Sequence, residues 1–266
     1  LSLIWYMAVK ISVVTATYNS EATIGDTLCS LDSQTHESIE HCVIDGNSGD
    51  STLSVLAESA KPYRRVISEK DTGIYDAMNK GVAAASGDII GFLNSDDVYE
   101  TPDVLTKVAA AFSDPNVDLV YGNLRYVDFN DTNKVIRDWT SEPYRQGMFR
   151  RGWMPPHPTV YARKHVFEKQ GGFDQAFSIC ADWDWLYEAI ELSENHAEFL
   201  DLYLVRMRIG GVSNSSFANI FKSNMEAMAA FKKHGKRVPI GFFPGKLIHR
   251  GKQFIPRNVS SHGRLM

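Results

Sequence analysis

The sequence predicts an α/β fold: a doubly wound, mostly parallel sheet with flanking helices and a C-terminal helical extension. Three observations predict it. Short β-branched or apolar runs alternate with segments whose apolar residues recur at helical spacing. The runs end in polar or acidic residues, where parallel sheets of this kind bind ligands. The chain has 266 residues, 44% hydrophobic and 23% charged, which is ordinary for a globular protein with a substantial core.

The elements follow in order. Lys10–Thr17 (KISVVTAT) reads as a buried strand, and Ile24, Leu28 and Leu31 then mark a helix. His41–Asp45 is a second strand, followed by the turn GNSGDS and a helix carrying Leu53, Leu56 and Ala57. Arg65–Ser68 is a third strand, and Ile74, Ala77, Met78 and Val82 form a helical stripe. Asp88–Asn94 is a fourth strand. Thr101-Pro102 then looks like an N-cap with proline at the first helical position, ahead of Val104, Leu105, Val108 and Phe112.

Beyond this point the pattern changes. Val117–Val127 reads as a strand with Lys134–Trp139 as a hairpin partner, followed by a Pro- and aromatic-rich loop, Gly152–Thr159. Asp182–Glu191 looks like a helix start with Trp185, Leu186 and Ile190 inward. Glu198–Arg208 resembles a strand and Ser216–His234 a long helix. No repeat, low-complexity tract or clear linker interrupts the chain. The expectation is one domain over residues 7–226, with a first half at about 10–127 and a second half at about 128–226, then a basic amphipathic extension over 227–266.

Composition excludes several classes. The net charge of −4 gives no global basic field for nucleic acid. Cys29, Cys42 and Cys180 are odd in number and form no CxxC, which suits a reducing cytosol better than a disulfide framework or zinc site. No stretch of eighteen apolar residues is present. The apolar opening lacks a basic start and a cleavage site. Met7 is a candidate start, and Leu1–Tyr6, either native or an upstream remnant, are left out of the fold reading. Charge is uneven: Ala227–Met266 holds nine Lys or Arg and no Asp or Glu, leaving 19 − 32 = −13 on the rest. With Val238, Ile240, Phe242, Phe243, Leu247, Ile248, Phe254 and Ile255, this tail suits an interfacial segment on an anionic membrane. The other reading is an amphipathic helix packed on the acidic body.

Four strand ends gather the polar residues: Thr15–Asn19, Asp45–Asp50, Glu69–Gly73 and Asn94–Asp97. Asp96 and Asp97 close an apolar strand. Mg²⁺ is typically held by one or two carboxylates plus substrate phosphates, and Mn²⁺ accepts similar ligands. A polar turn is the other reading of the pair. Asp45 likewise suits either a turn or a hydrogen bond to a ribose or base. There is no GxGxxG after the first strand and no Walker loop; GFFPGK has too few residues between its glycines and lacks the Ser or Thr. A phosphorylated ligand would therefore need a metal for most of its countercharge.

Together, VVTATYNSEATIGDTLCSL, VIDGNSGDST, SEKDTGIYDAMNKGVAAASGDIIGFLNSDDVY and GGFDQAFSICADWDW resemble glycosyltransferase family 2, with its GT-A fold. The resemblance covers about Lys10–Gly211, and EKDTGIYDAMNKG followed by GDIIGFLNSDD is its most specific part. It implies that Ala16 lends backbone to a base pocket, that Tyr18 packs on the base and that Asp45 reads it. It places Asp96 near the ribose, Asp97 on a divalent metal (Mg²⁺ or Mn²⁺), and Asp71 and Gly73 along the donor diphosphate-sugar. Asp182 matches the general base, although Ala181 stands where the family has Glu. A helix N-cap is the local alternative for Asp182. His157 lies in a PH segment that resembles one between donor and acceptor sites, or is a loop histidine. Trp153 and Trp183 are acceptor-side candidates for a sugar platform, whereas Trp185, Tyr161, Phe167 and Phe173 read as core.

The implied activity is inverting, metal-dependent transfer from a nucleotide-sugar, foremost a UDP-sugar, to a hydroxyl of a polysaccharide or lipid-linked glycan. Such a transfer needs a base for the acceptor proton and a Lewis acid for the leaving diphosphate. The implied location is cytoplasmic, or peripheral on the inner face of a membrane. The alternatives are an inactive nucleotide-sugar binding module and a sugar-nucleotide pyrophosphorylase. The latter needs a Gly- and Arg-rich loop that TATYNSEAT does not supply.

Overall fold

The computed structural model describes residues 9–210 and 217–254. Leu1–Tyr6, Met7, Gly211 and Ile255 of the expectations above lie outside the described residues. The alternating first half becomes β1 (Ile11–Thr17), α1 (Ile24–Asp32), β2 (Ile39–Asp45), α2 (Thr52–Glu58), β3 (Arg64–Ser68), α3 (Ile74–Ala84) and β4 (Ile89–Phe92). Every residue of β1 is buried, because side chains alternate between two covered sheet faces. Ile11 and Val13 join Leu31, Val104, Leu105 and Phe112 on one face. Val14 and Ala16 join Ala77, Met78, Phe92 and Trp185 on the other. Each fully buried aliphatic side chain contributes roughly 1.5–3 kcal/mol.

The second half supplies β5 (Val98–Tyr99), α4 (Val104–Ala111), β6 (Leu119–Val127), β7 (Val135–Trp139), β8 (Tyr161–Arg163), α5 (Lys164–Gln170), α6 (Ala181–Leu186) and β9 (Ala197–Arg208). A π-helical segment, Tyr187–Leu192, prolongs α6. All nine strands form one sheet in the order β3-β2-β1-β4-β8-β6-β9-β5, with β7 also paired to β6. β3, β2, β1 and β4 are parallel neighbours, as are β6 and β9. β5, β7 and β8 run antiparallel to their partners. The mostly parallel α/β architecture is as expected; β8, inserted at the centre of the sheet, was not foreseen.

The chain continues in α7 (Phe217–Lys233) and α8 (Phe242–Lys252). Residue 227 falls inside α7, so no unit begins there. Ala227, Ala230, Phe231 and Phe242 are buried in the main core, and Phe242 meets Trp183 at 5.6 Å between ring centres. Gly152, at φ +76°, lets the α8 backbone pack against it: a Cβ there would strike the Lys246 backbone. This stretch is therefore docked on the body. Among the described residues, no helix is long and apolar enough to cross a membrane.

Candidate active site

The carboxyl ends of β1, β2 and β4 meet through hydrogen bonds between their following loops. Asn19 and Asn47 take left-handed conformations, φ 49° and 65°, which Asn tolerates better than most residues. The Asn19 N–H donates to Ser48 Oγ (2.8 Å), and Asn19 Oδ1 accepts from the Gly49 N–H (2.9 Å). The Ser20 N–H donates to Thr52 Oγ1, and the hydroxyls of Ser20 and Ser95 are 2.9 Å apart. The loop after β1 is thus tied to both neighbours.

Ala16 lies near the end of β1, opposite Ile44 of β2. Two residues on, Tyr18 stands 63% exposed. Asp71 and Tyr18 flank Gly46, where a Cβ would strike the Asp71 carboxylate. Asp71 Oδ1 accepts from the Gly73 N–H at 3.0 Å, just ahead of α3. Tyr18, Asp71 and Gly73 therefore lie close together. Asp45 is fully buried and accepts from the Ser48 N–H (3.1 Å) and from the hydroxyls of Ser48 and Ser68 (2.6 Å for Ser68). It holds the β2 and β3 loops together.

After β4, Asn94 Nδ2 donates to Asp97 Oδ2 at 2.9 Å, and Thr27 Oγ1 donates to the Asp97 carbonyl at 2.8 Å. The Arg208 guanidinium donates to the carbonyls of Asp96 (2.6 Å) and Phe129 (2.8 Å) and pairs with Asp26. Asp97 has no exposed surface, and its Oδ1 lacks a hydrogen-bond partner, as do Asn94 Oδ1 and Thr17 Oγ1. Burial, reinforced by the Asp96 charge, pushes the Asp97 carboxyl well above the usual range; burial also raises Asp96, which is half-buried. An unpartnered buried carboxylate oxygen beside a second carboxylate fits a hard divalent cation. Among the described residues no group of three or more His, Cys, Asp or Glu could hold a metal, so these two would need ligand oxygens to complete a shell.

The acceptor-half candidates gather around Asp182, in the first turn of α6. Asp182 Oδ2 lies 3.1 Å from His157 Nδ1, in the 3₁₀ turn His157–Thr159. Its Oδ1 accepts from the Trp183 N–H (2.8 Å) and the Tyr75 hydroxyl (3.1 Å). Burial would raise the Asp182 carboxyl, but His157, the Trp183 N–H and Tyr75 outweigh it and hold it below the usual range. Just ahead, the Glu226 carboxylate of α7 accepts from the N–H groups of Ser178, Ile179 and Cys180 at 2.8–3.1 Å. Lys246 of α8 donates to Asn224 Oδ1 at 3.1 Å, and its ammonium feels the charge of Asp182.

Trp153 and Trp183 do not form an open sugar platform. They are 4% and 5% exposed, because Phe149 packs edge-on against both and Trp183 stacks on Tyr187. Trp153 also borders a cavity of about 380 Å³ shared with Glu142, Arg145, Arg151 and His249. Sequence reasoning missed Tyr75, Gly46 and Arg208. Tyr75 lies off the apolar stripe of its helix, and its place two residues after Gly73 was the available signal.

The sequence profile of Glycosyl transferase family 2 matches residues 12–173. An uncharacterized glycosyltransferase of Mycobacterium tuberculosis is 33% identical over 192 residues, which is 70% of this chain and 71% of that protein. A PGL/p-HBAD biosynthesis glycosyltransferase of Mycobacterium bovis is 33% identical over 178 residues, 65% of this chain and 67% of that one. Among solved structures, S. aureus TarS 1-349 in complex with UDP superposes with a TM-score of 0.62 at 21% identity. That match covers 84% of this chain but 65% of the TarS chain, so this chain spans just under two thirds of it. The mannosyltransferase PcManGT from Pyrobaculum calidifontis, in complex with GDP-Man and Mn²⁺, superposes with a TM-score of 0.63 at 17% identity, over 95% of this chain and 76% of that one. At these identities the structural likeness carries the fold alone.

Proposed function

This chain belongs to glycosyl transferase family 2, and we propose that it is an inverting, metal-dependent glycosyltransferase acting on a nucleotide-sugar, foremost a UDP-sugar. The acceptor is a hydroxyl of a polysaccharide or lipid-linked glycan. The observation that carries this reading is Asp97 Oδ1, buried and unpartnered beside Asp96 at the carboxyl end of β4. Mg²⁺ or Mn²⁺ held there by Asp97, with Asp96 beside it, would supply Lewis-acid stabilisation of the leaving diphosphate. The complexes of TarS with UDP and of PcManGT with GDP-Man and Mn²⁺ are consistent with that donor class.

The chain's own residues do the rest. Ala16 and Tyr18 frame the base, and Asp45, held by Ser48 and Ser68, reads it. Asp71 and Gly73 border the diphosphate-sugar. The Asp182–His157 pair faces the acceptor and takes its proton, because a sugar hydroxyl becomes an effective nucleophile as that proton leaves. On α8, Leu247 and Ile248 are 72% and 60% exposed among cations, which supports peripheral seating on an anionic membrane.

The test is nucleoside diphosphate release from a panel of UDP- and GDP-sugars, with and without Mn²⁺ and saccharide acceptors. Release that requires Mn²⁺ and rises with one acceptor is expected. Nucleotide binding without release under any combination would leave a binding module instead.

A further inference from the structure

The carboxylate of Asp182 is already engaged on both oxygens: Oδ1 by the Trp183 N–H and Tyr75, Oδ2 by His157. Its side chain is 15% exposed, against 28% for His157. His157 sits between Pro156 and Pro158, whose fixed φ angles stiffen the turn. Thr159 Oγ1 bonds Pro156 O and Gly122 O from within the same turn, which packs on β4, β6 and α6. The imidazole is thus carried on a stiff turn packed against β4, β6 and α6. A hydrogen on Nδ1 of the neutral ring would face the carboxylate and leave the lone pair on Nε2. Among the described residues, Nε2 has no protein partner.

We propose that His157 Nε2 is the atom that takes the acceptor proton, and that Asp182 is its positioning residue. This rests on the reading of the site as a glycosyl-transfer centre. The acceptor oxygen bonds to the anomeric carbon as its proton passes to Nε2. The bond from that carbon to the diphosphate oxygen breaks, and its electron pair leaves with the nucleoside diphosphate. The imidazolium formed faces the Asp182 carboxylate and later releases its proton to water.

General bases work best when their proton affinity suits the operating pH, which favours an imidazole over a carboxylate held below its usual range. Tyr75, Cys180, Lys246 and Glu226 are the other titratable groups around the pair. Burial and the Asp182 charge keep Tyr75 protonated and push the Cys180 thiol to about 12. Glu226 is held low by its backbone hydrogen bonds despite partial burial. Burial lowers Lys246, so Lys246→Met serves as the control for a contribution from that ammonium.

Two measurements test the assignment on the full chain. In ¹⁵N-histidine spectra, identified by difference with His157→Gln, the neutral ring should carry its hydrogen on Nδ1, and Asp182→Asn should shift it toward the other tautomer. With Mn²⁺ and a nucleotide-sugar that the wild type turns over, His157→Ala should lose about 10²–10⁴ in kcat. UDP affinity should stay within a few fold, and added imidazole should restore part of the rate. Lys246→Met should keep the wild-type kcat within a few fold. A His157→Ala kcat within threefold of wild type, or a hydrogen resident on Nε2, overturns the assignment alone. A wild type that turns over no UDP- or GDP-sugar overturns the transfer reading and the base role with it.

Discussion

The Tyr75 hydroxyl places its one hydrogen between the Ile179 carbonyl, at 2.7 Å, and Asp182 Oδ1, at 3.1 Å. Tyr75 opens the helix that follows the Asp71–Gly73 loop, so this contact ties the donor side to the proton-accepting pair. Burial and the Asp182 charge keep the phenol protonated, and it acts only as a donor. Tyr75→Phe keeps the ring against Phe173 and removes the tie. We expect a loss of roughly 1–2 kcal/mol in a denaturant melt. We also expect a kcat lowered about tenfold, or some 1.4 kcal/mol of transition-state stabilisation, with UDP affinity unchanged. An unchanged kcat would show that Asp182 does not depend on this contact.

Asp97→Asn and Asp96→Asn separate the two carboxylates. Asp97→Asn removes a buried carboxylate charge that burial and Asp96 disfavour, so in EDTA this variant should melt no lower than wild type. Mn²⁺ with UDP should raise the wild-type melting temperature and leave that of Asp97→Asn unmoved, with turnover abolished. Asp96→Asn should keep part of the Mn²⁺ response. The reverse order, with Asp97→Asn retaining metal and turnover, would transfer the metal role to the half-buried Asp96.

The strands that position these carboxylates were legible because β1, β2 and β4 are apolar runs that end in polar residues. β8 was not, since three residues are too few to show a period; Tyr161–Arg163 is a strand only because β4 and β6 flank it. Asp182 and His157 were each visible as candidates, but their pairing spans a tertiary contact that no local pattern encodes. Trp153 and Trp183 were misread for the same reason: an aromatic residue in a loop or at a helix start looks alike whether Phe149 covers it or solvent does. In the tail the cations were legible. The burial of Phe242 was not, because it depends on a pocket made by Trp183 and Phe231.

Acid sensitivity should centre on Glu40. Its carboxylate accepts from the Ser12 hydroxyl, from the Ser86 N–H and hydroxyl (both 2.7 Å) and from Lys10 Nζ (3.3 Å), joining β1, β2 and the loop before β4. Burial opposes ionisation, yet these donors lower the carboxyl from 4.5 to about 2. The folded value lies below the unfolded one, so the contribution is complete above about pH 4.5 and fades as pH falls toward 2. Glu40→Gln should cost on the order of 1–3 kcal/mol at pH 7 and progressively less below pH 4.5. Parallel wild-type and variant stability curves from pH 7 to pH 3 would refute the linkage.

The last expectation concerns α8 and the membrane. The helix is anchored by Phe242, buried at 1% exposure, so deleting the tail would open the core and confound any binding assay. Point variants avoid this. Leu247, Ile248 and Phe254 are 72%, 60% and 65% exposed, and Ile240 is 99% exposed. Ala227–Met266 has no acidic residue to oppose an anionic surface. Each Lys or Arg near such a surface contributes about 1 kcal/mol, and inserting a Leu or Ile side chain adds up to roughly 1.5–3 kcal/mol. The full-length protein should therefore co-sediment with phosphatidylglycerol vesicles at low salt and less so at high salt, since screening weakens only the charge contribution. Leu247→Ser with Ile248→Ser should reduce binding at least tenfold at both salt levels, because it removes apolar insertion and leaves the charge intact. Lys252→Glu should weaken binding mainly at low salt. If wild type and both variants partition equally at every salt level, the cations and exposed aliphatics of α8 serve the folded body alone.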